Sequence, residues 1–415
     1  MHDSASLWQQ RRFRLLWAGH TISAFGSQIT PVALSVIATL TLQATPTQMA
    51  FLILLNYVPA VLFGMFAGVW VDRARKRRVM IISDLLRAAV LLAVPFAAGA
   101  GLLGMDLLYA ITLLLAVGGV LFGVANVSFV PAIVTRRDLL SANSALSSSS
   151  AVARIAGPGL AGLLIQWLSA QLALLVDALS FVVSALALLG IHTQEAVAAP
   201  HEQRPPFFSA LWEGLLVLVH QPYLRTIVLM AWSFDLGWNM LYAVYTLYVI
   251  RVLGLSPAAY GLIFSIGTLG ALTASLLAGS ITRRVGIGST LLVAQVVMGA
   301  AALLIPAAQQ LTPLALGLLI LAELILSAAS TLSGITAGSL IQATIPVQLL
   351  GRVQASRQAL GLLPAVIGTA LGGLIGSVWG IAPTVLLGAC LGSVSFVWLL
   401  VSPLRRVQQL PDSVA

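Results

Sequence analysis

Residues Gly64–Arg78 read Gly-Met-Phe-Ala-Gly-Val-Trp-Val-Asp-Arg-Ala-Arg-Lys-Arg-Arg, and this stretch decides the fold class. An apolar run stops at Asp72, and five cationic side chains follow within six residues. An apolar helix that leaves a bilayer on its positively charged side has this pattern. Gly64 and Gly68 lie four residues apart on one helix face, where small residues let a second helix approach closely. The stretch therefore predicts a membrane-spanning helix that ends at a cytoplasmic loop.

The composition of the chain also indicates a membrane protein. Of its 415 residues, 59% are hydrophobic and only 8% are charged, and the mean hydropathy is +1.02. Soluble domains carry about 25% charged residues, so most of this surface is expected to face lipid. The net charge of +9 would otherwise suit nucleic acid, but the cations are confined to short loops. We therefore expect a lipid bilayer around the chain and no nucleic-acid partner.

Enzyme and cofactor chemistry finds little support in the sequence. The single cysteine, Cys390, excludes an intrachain disulfide, and it makes no zinc-ligand cluster with the few histidines. The sequence has no glycine-rich phosphate loop followed by lysine and Ser or Thr, so ATP is not the expected energy source. We expect neither an enzyme nor a protein with a bound metal or cofactor.

The chain contains twelve apolar runs that are long enough to cross a bilayer as helices, at about 20 residues each. Arginines and lysines occupy alternate loops, with Arg251 as an exception, and Arg87 is assigned to the link between the second and third spans. The positive-inside rule then predicts a multi-pass protein of the cell inner (plasma) membrane, with both termini cytoplasmic. The predicted spans are 13–41, 46–71, 79–100, 106–133, 141–166, 170–192, 222–250, 256–282, 287–306, 312–340, 353–378 and 381–403.

An internal repeat divides these spans into two halves. Residues of the first span recur in the seventh, 211 positions later: Arg14, Gly26 and Gln28 match Arg225, Gly237 and Asn239. Two six-helix halves of the same orientation place the substrate path where the halves meet. The predicted fold is an all-α integral membrane protein of twelve transmembrane helices. Its parts are an N-terminal six-helix bundle at 1–192, a cytoplasmic linker with an amphipathic helix at 193–221, and a C-terminal six-helix bundle at 222–415.

The loop after the second span resembles a signature of the major facilitator superfamily. Gly68-x-x-x-Asp72-Arg73-x-x-Lys76-Arg77 is similar to that family's motif between its second and third helices, with Arg75 in place of a second glycine. The C-terminal copy, Gly279–Gly286, carries an arginine where aspartate is usual. The resemblance implies that Gly68, Asp72, Arg73, Lys76 and Arg77 form a gate that latches the cytoplasmic face of the outward-open state.

The fifth span resembles the antiporter signature of drug exporters in this superfamily. Gly157-Pro158-Gly159 should kink the helix, because proline removes a backbone hydrogen bond and glycine permits the bend. A packing kink without any coupling role explains the motif equally well. The arginine common in the fourth helix of proton-coupled drug antiporters is missing here. The runs beginning at Leu139 and at Asp177 look most like the branch that contains macrolide and enterobactin exporters.

Charged residues inside apolar helices mark the candidate site, since a charge at bilayer depth costs at least ~2.5 kcal/mol. Asp235 is the best placed, because Trp238, Asn239 and Tyr242 lie within about 60° of it at 100° per residue. This face could line a cavity where amphipathic molecules stack and form hydrogen bonds. An aspartate there could exchange a proton near neutral pH. A hydrogen-bonded aspartate with a purely structural role remains the alternative.

Three more charged residues are candidates with open roles. Glu323 heads a polar stripe with Ser327 that could carry a proton or simply pack two helices together. Arg154 could bind a substrate anion, although we favour an internal ion pair with a buried acid. Asp177, near the outer end of the sixth span, suits a structural role better. His20 is a weak candidate for the cavity lining.

Taken together, the sequence predicts a secondary active transporter. It would export small amphipathic organic compounds, such as a drug or a siderophore, by proton antiport with alternating access. An importer or facilitator of a specific small nutrient on the same fold is the alternative, which the missing arginine of the fourth span keeps open. The expected partners are the small organic substrate, protons and the bilayer, and the expected oligomeric state is a monomer.

Overall fold

The computed structural model of the chain is helical and describes residues 7–192 and 207–408. Six long helices make up the N-terminal part. A π-helical turn, Ile37–Thr41, continues the first of them. The helices are α1 (Arg11–Val36), α2 (Pro46–Arg73), α3 (Lys76–Gly99), α4 (Met105–Ile133), α5 (Leu139–Leu168) and α6 (Ala170–Leu189).

Eight helices follow in the C-terminal part, and most are equally long. The second of them, α8, also ends in a π-helical turn, Tyr248–Val252. The helices are α7 (Phe207–His220), α8 (Pro222–Leu247), α9 (Pro257–Val285), α10 (Ile287–Ala307), α11 (Ala315–Thr344), α12 (Val347–Val378), α13 (Ile381–Ser393) and α14 (Val397–Val401).

These helices confirm the prediction of a twelve-helix membrane protein. Eleven stretches of the described residues are long and apolar enough to cross a bilayer, by length and composition. The 28-residue helix α2 has the length of a twelfth span. The helices α1–α6 correspond to the first six predicted spans, and α8–α13 correspond to the last six, with α14 extending the final one. The short α7 falls in the predicted linker.

The chain forms two compact units. Unit 1 consists of Met1–Ala44, Leu52–Glu202 and Ser256–Gly261, and unit 2 consists of Thr45–Phe51, Gln203–Leu255 and Leu262–Ala415. Each unit therefore includes a short segment from the other half of the sequence. The domain boundaries given above at 192 and 221 stay a prediction.

The helix ends repeat the offset seen in the sequence. The π-helical turns Ile37–Thr41 and Tyr248–Val252 are separated by the same offset as Gly26 and Gly237. That offset also relates the first residues of α3 and α10, the first residues of α6 and α13, and the last residues of α4 and α11. Equivalent positions in the two units can therefore be paired residue by residue in these helices.

Unit 1 packs α1 against α5 and α6, and α3 against α4 and α6. Its apolar core includes Phe13, Met80, Phe129 and Ile191, each fully buried. Gly26 of α1 allows the closest approach to α6, because an added Cβ would meet side-chain atoms of that helix. Small residues at such contacts let the helix backbones approach each other.

Unit 2 uses the same plan, with α8 against α12 and α13 and α10 against α11 and α13. The glycine equivalent to Gly26 is Gly237, and an added Cβ there would meet backbone atoms of Gly388 and Gly392 on α13. The linker helix α7 packs on α12, where Arg352 forms an ion pair with Glu213. The packing of α7 on α12 places the described part of the linker in unit 2.

The structure corrects one assignment made from the loop charges. Arg87 does not belong to the loop before the third span, because α3 already starts at Lys76 and continues to Gly99. Its side chain is buried, with 8% of the residue exposed. Arg87 is therefore a second cation at membrane depth in addition to Arg154.

Candidate functional site

The face of α8 that carries Asp235 is lined by stacked aromatic rings. Phe234 and Trp238 stack with centroids 6.3 Å apart, and Trp238 and Tyr242 stack at the same separation. Tyr245 continues the series at 6.5 Å from Tyr242. Phe264 of α9 packs edge-on against Tyr242 and Tyr245, at 6.4 and 5.8 Å. The rings form one continuous aromatic surface over three turns of the helix, in which Phe234 and Tyr245 are buried and Trp238 and Tyr242 are partly exposed.

Asp235 lies within this surface and is partly exposed. Among the described residues, no side chain or backbone group donates a hydrogen bond to its carboxylate. The amide of Asn239 donates to the backbone oxygen of Asp235 over 2.7 Å, so that contact does not neutralise the acid. A carboxylate beside stacked rings can attract a cationic or hydrogen-bond-donating aromatic molecule.

Glu323 occupies a separate place in unit 2, on α11 against α9. Its residue is 7% exposed, and its Oε1 has no hydrogen-bond partner in the described part of the chain. An added Cβ on Gly267 of α9 would lie 2.7 Å from the Cβ of Glu323, so the two helices touch at this point. Ser327 donates to the Gly267 backbone oxygen and accepts from the Ala271 amide at 3.0 Å. The polar stripe of α11 therefore joins the two helices, and Glu323 is its unsatisfied member.

Unit 1 contains a polar cavity of about 380 Å³. His20 of α1 lies in its wall, with Nε2 3.0 Å from the Ser150 hydroxyl of α5. Asn126 of α4 contributes a buried Oδ1 that has no hydrogen-bond partner among the described residues. The lining consists of His20, Asn126, Val127, Val130, Pro131, Asn143, Leu146, Ser147, Ser150 and Arg154.

Arg154 is the cationic group of this cavity. Among the described residues, it takes part in neither of the salt bridges, which join Arg87 to Asp84 and Arg352 to Glu213. The internal ion pair that we favoured from the sequence is therefore not formed with any described residue. The guanidinium is exposed in the cavity, whose lining also includes serine hydroxyls and the amide of Asn143. The sequence identified Arg154, and Asn143 lies eleven residues before it on the same face of α5, but nothing in the sequence placed Asn126 of α4 beside them.

The predicted gate residues are only partly within the described structure. Gly68, Asp72 and Arg73 lie in residues 60–73 of α2, whose side chains are outside the described part. Lys76 is buried at the start of α3. Arg77 donates to the backbone oxygens of Leu188 and Leu189 over 2.7 and 2.6 Å. Arg77 therefore satisfies the free carbonyls at the end of α6, where a cation is also favoured by the helix dipole. The gate role stays a prediction.

The Gly157-Pro158-Gly159 motif lies inside a continuous α5. An added Cβ on Gly157 would meet the Gln28 side chain of α1, and one on Gly261 of α9 would meet the Pro158 backbone oxygen. Both contacts are within unit 1. The motif therefore provides close helix packing on two sides, and any coupling role remains a prediction.

Sequence reasoning missed a buried group of charges in unit 1. Asp84 and Arg87, one helical turn apart on α3, form a salt bridge. The guanidinium lies between the rings of Phe122 and Phe181, 4.9 and 4.1 Å from their centroids. Asp177 of α6 is within electrostatic range of both charges. An acid and a base three residues apart in an apolar run were the available signal, but the assignment by loop charge grouped Arg87 with the cations that end at Arg78.

The sequence matches the profile of one protein family and is similar to several transporters. The Major Facilitator Superfamily profile matches residues 16–354 and 227–413. The MFS-type transporter YfiS of Bacillus subtilis is 26% identical over 407 residues, which cover 92% of this chain and 91% of that protein. Macrolide efflux protein A of Streptococcus pyogenes is 23% identical over 209 residues, about half of each chain, at 50% and 51%.

Solved structures agree on the fold. The nucleoside transporter NupG superposes with a TM-score of 0.70 at 13% identity, over 95% of this chain and 98% of that one. A bacterial homologue of the iron transporter ferroportin, in an inward-facing state, gives 0.68 at 18% identity, over 94% and 98%. At these identities the likeness extends to the fold alone.

Proposed function

Because the chain belongs to the Major Facilitator Superfamily, we propose that it exports small amphipathic organic compounds in exchange for protons. A drug or a siderophore is the proposed type of substrate. The transport cycle would alternate access between the two faces of the inner membrane by moving one six-helix half against the other. The protein would act as a monomer with both termini in the cytoplasm.

The observation that supports this proposal best is the aromatic surface of α8 around Asp235. Trp238 and Tyr242 offer ring faces to a flat apolar part of a substrate, and aromatic contacts of this kind are worth about 0.5–1.5 kcal/mol each. The carboxylate of Asp235 has no described hydrogen-bond donor, so a substrate cation or a proton can neutralise it. Competition of substrate and proton for one acid would let a proton gradient drive export.

Other residues take supporting roles in the proposal. Glu323, whose Oε1 is buried without a partner among the described residues, would carry a proton within unit 2. Arg154 would hold an anionic or hydrogen-bonding group of a substrate in the unit 1 cavity. Asn239 would orient the α8 face, and Asp72 with its neighbouring cations would serve as the gate. No cofactor is required, because the proton gradient supplies the energy.

Ethidium efflux tests the assignment of Asp235. Ethidium is a flat aromatic cation that suits both the rings and the acid, and its fluorescence reports transport in membrane vesicles. We expect pH-gradient-driven ethidium transport by the unchanged protein and none by Asp235→Asn. Trp238→Ala should weaken the apparent affinity about tenfold, or ~1.4 kcal/mol. Asp106→Asn, an exposed acid at the start of α4, is the matched control and should transport normally.

Two outcomes would contradict the proposal in different ways. Full ethidium transport by Asp235→Asn, at normal expression, would remove Asp235 from the mechanism. Ethidium or nutrient accumulation inside whole cells that persists with a proton uncoupler would instead favour the importer or facilitator. Erythromycin serves as a second probe: transport of both compounds would indicate a broad substrate range, and transport of one alone would indicate a narrow range.

A further inference from the structure

Asp84, Arg87 and Asp177 form a buried charge cluster in unit 1 that the proposed function does not use. The two acids are 0% exposed and the arginine is 8% exposed. They lie on α3 and α6 of unit 1. Two carboxylates with one guanidinium leave an excess negative charge, and an uncompensated charge in an apolar interior is strongly unfavourable.

We propose that this cluster binds one exchangeable proton, shared by Asp84 and Asp177, and thus forms a proton site separate from the α8 face. One acid is then ionised, with Arg87 as its countercharge, and the other is neutral. The exchange is a simple addition of a proton from water to a carboxylate and its return to water. The inference goes beyond the proposed function and holds whichever substrate is carried, because it concerns residues to which that proposal gives no role.

The hydrogen bonds show where the proton fits. Asp177 accepts from the Thr30 hydroxyl of α1 over 2.5 Å and from the Ser180 hydroxyl over 3.0 Å, so both of its oxygens are occupied. Asp84 uses Oδ1 for Arg87, and its Oδ2 is buried with no hydrogen-bond partner among the described residues. Among the described atoms of the cluster, Oδ2 of Asp84, on the carboxyl group that Ser184 of α6 faces, is therefore the acceptor that is left for the proton.

The surroundings favour a proton over a metal cation. Phe122 and Phe181 cover Arg87, and the helices that pack on the cluster otherwise present Gly118 of α4 and hydroxyls of α1 and α6. A hard metal cation needs a shell of several oxygen ligands, and a guanidinium next to the acids repels it. Among the described residues around the cluster, the groups that can change charge are the two aspartates, with Arg87 as their fixed cation.

The repeat supplies an internal comparison for the cluster. The offset of 211 positions pairs Asp84 with Gln295, Arg87 with Met298 and Asp177 with Gly388. Gln295 is buried and accepts from the Ser395 hydroxyl over 2.8 Å. Ser395 is the equivalent of Ser184, which faces Asp84 in unit 1. Unit 2 therefore forms the equivalent helix contact with neutral side chains. The fold itself does not require the charged residues of unit 1 at these positions.

Infrared spectroscopy of the full chain in lipid nanodiscs tests the inference without any substrate. The measurement uses the Asp235→Asn, Glu323→Gln background, so that Asp84 and Asp177 are the acids left at membrane depth. Acidification should produce one carbonyl band of a carboxylic acid in an apolar environment. Adding Asp84→Asn or Asp177→Asn should each remove at least nine-tenths of the band, because the single remaining acid is then balanced by the charge of Arg87 and stays ionised.

The controls separate a proton site from a static ion pair. Asp106→Asn and Gln295→Leu, added to the same background, should leave the band unchanged. A band that survives at full size in either aspartate variant would overturn the shared proton. If neither aspartate variant folds, the spectrum of the background protein alone tests the proposal. A spectrum without a pH-dependent band of this type would exclude an exchangeable proton in the cluster.

Discussion

Unit 1 and unit 2 place different chemistry on the same arrangement of helices. In unit 2, Trp238 and Tyr242 of α8 belong to a stack of rings beside an acid. The equivalent residues of α1 in unit 1 are Ser27 and Pro31, which offer no ring. In the other direction, His20 lines the polar cavity of unit 1, and its equivalent in unit 2 is Ala231.

The buried interfaces differ in the same way. The contact between α1 and α6 in unit 1 includes the carboxylate of Asp177, whereas α8 and α13 in unit 2 meet through Gly237, Gly388 and Gly392. A glycine contact satisfies packing alone, and a buried carboxylate needs partners as well. Residues that serve the same packing role in both units are needed for the fold, and residues found in one unit alone are not. By that criterion the charges of unit 1 and the rings of unit 2 are the features that the shared fold does not explain.

Removing the cation of unit 1 should have the largest effect. Arg87→Met copies the equivalent Met298 and leaves two buried acids without a base. Breaking a buried ion pair in this way costs about 3–5 kcal/mol. The free energy of unfolding in mixed micelles measures the loss, and Met298→Leu, a volume-conserving change, should cost less than ~1.5 kcal/mol.

A combined variant makes this prediction stricter. Asp84→Gln and Asp177→Gly, added to Arg87→Met, reproduce the neutral residues of unit 2 and should recover most of the lost stability. A loss below ~1 kcal/mol for Arg87→Met alone would mean that the charges are not desolvated as the packing indicates.

The glycine contacts should give the next largest effect, and here unit 2 is the more sensitive. An alanine Cβ at Gly237 would meet the backbone of Gly388 and Gly392, which cannot rotate away. At Gly26 it would meet the side chains of Ser180 and Asp177, which can change rotamer. Overpacking costs typically about 1–3 kcal/mol, so Gly237→Ala should destabilise by that amount and Gly26→Ala by less. Thermal unfolding in detergent compares the two, and a larger loss for Gly26→Ala would contradict the distinction between backbone and side-chain contacts.

Much of the fold could be predicted from the sequence, because hydrophobic length and loop charge are local properties. The spans and the repeat follow from these properties. Gly26 and Gly237, which the repeat pairs, also both lie at close contacts between two helices. The same local rule failed at Arg87. The loop-charge rule groups Arg87 with the cations that end nine residues earlier at Arg78, whereas α3 runs from Lys76 to Gly99 and places Arg87 well inside the helix.

The candidate site could be predicted along one helix but not between helices. Helical periodicity brought Trp238 and Tyr242 to the side of Asp235, since residues three and four apart share a face. The contribution of Phe264 from α9 and of Asn126 from α4 depends on tertiary packing, which no periodicity encodes. The absence of a described acid beside Arg154 has the same origin, because the sequence shows that an arginine needs a partner but not which helix faces it.

The smallest effect is expected for the salt bridge of unit 2, which contrasts with the buried pair of unit 1. Glu213 and Arg352 join α7 to α12, but their side chains are 46% and 36% exposed. Water screens such pairs, and their coupling energy is typically about 0–1 kcal/mol. A double-mutant cycle with Glu213→Ala and Arg352→Ala, read by thermal unfolding, should give a value in that range. A coupling energy several times larger would show that α7 is held to unit 2 by this pair itself, and the contrast between the exposed and the buried ion pair would then disappear.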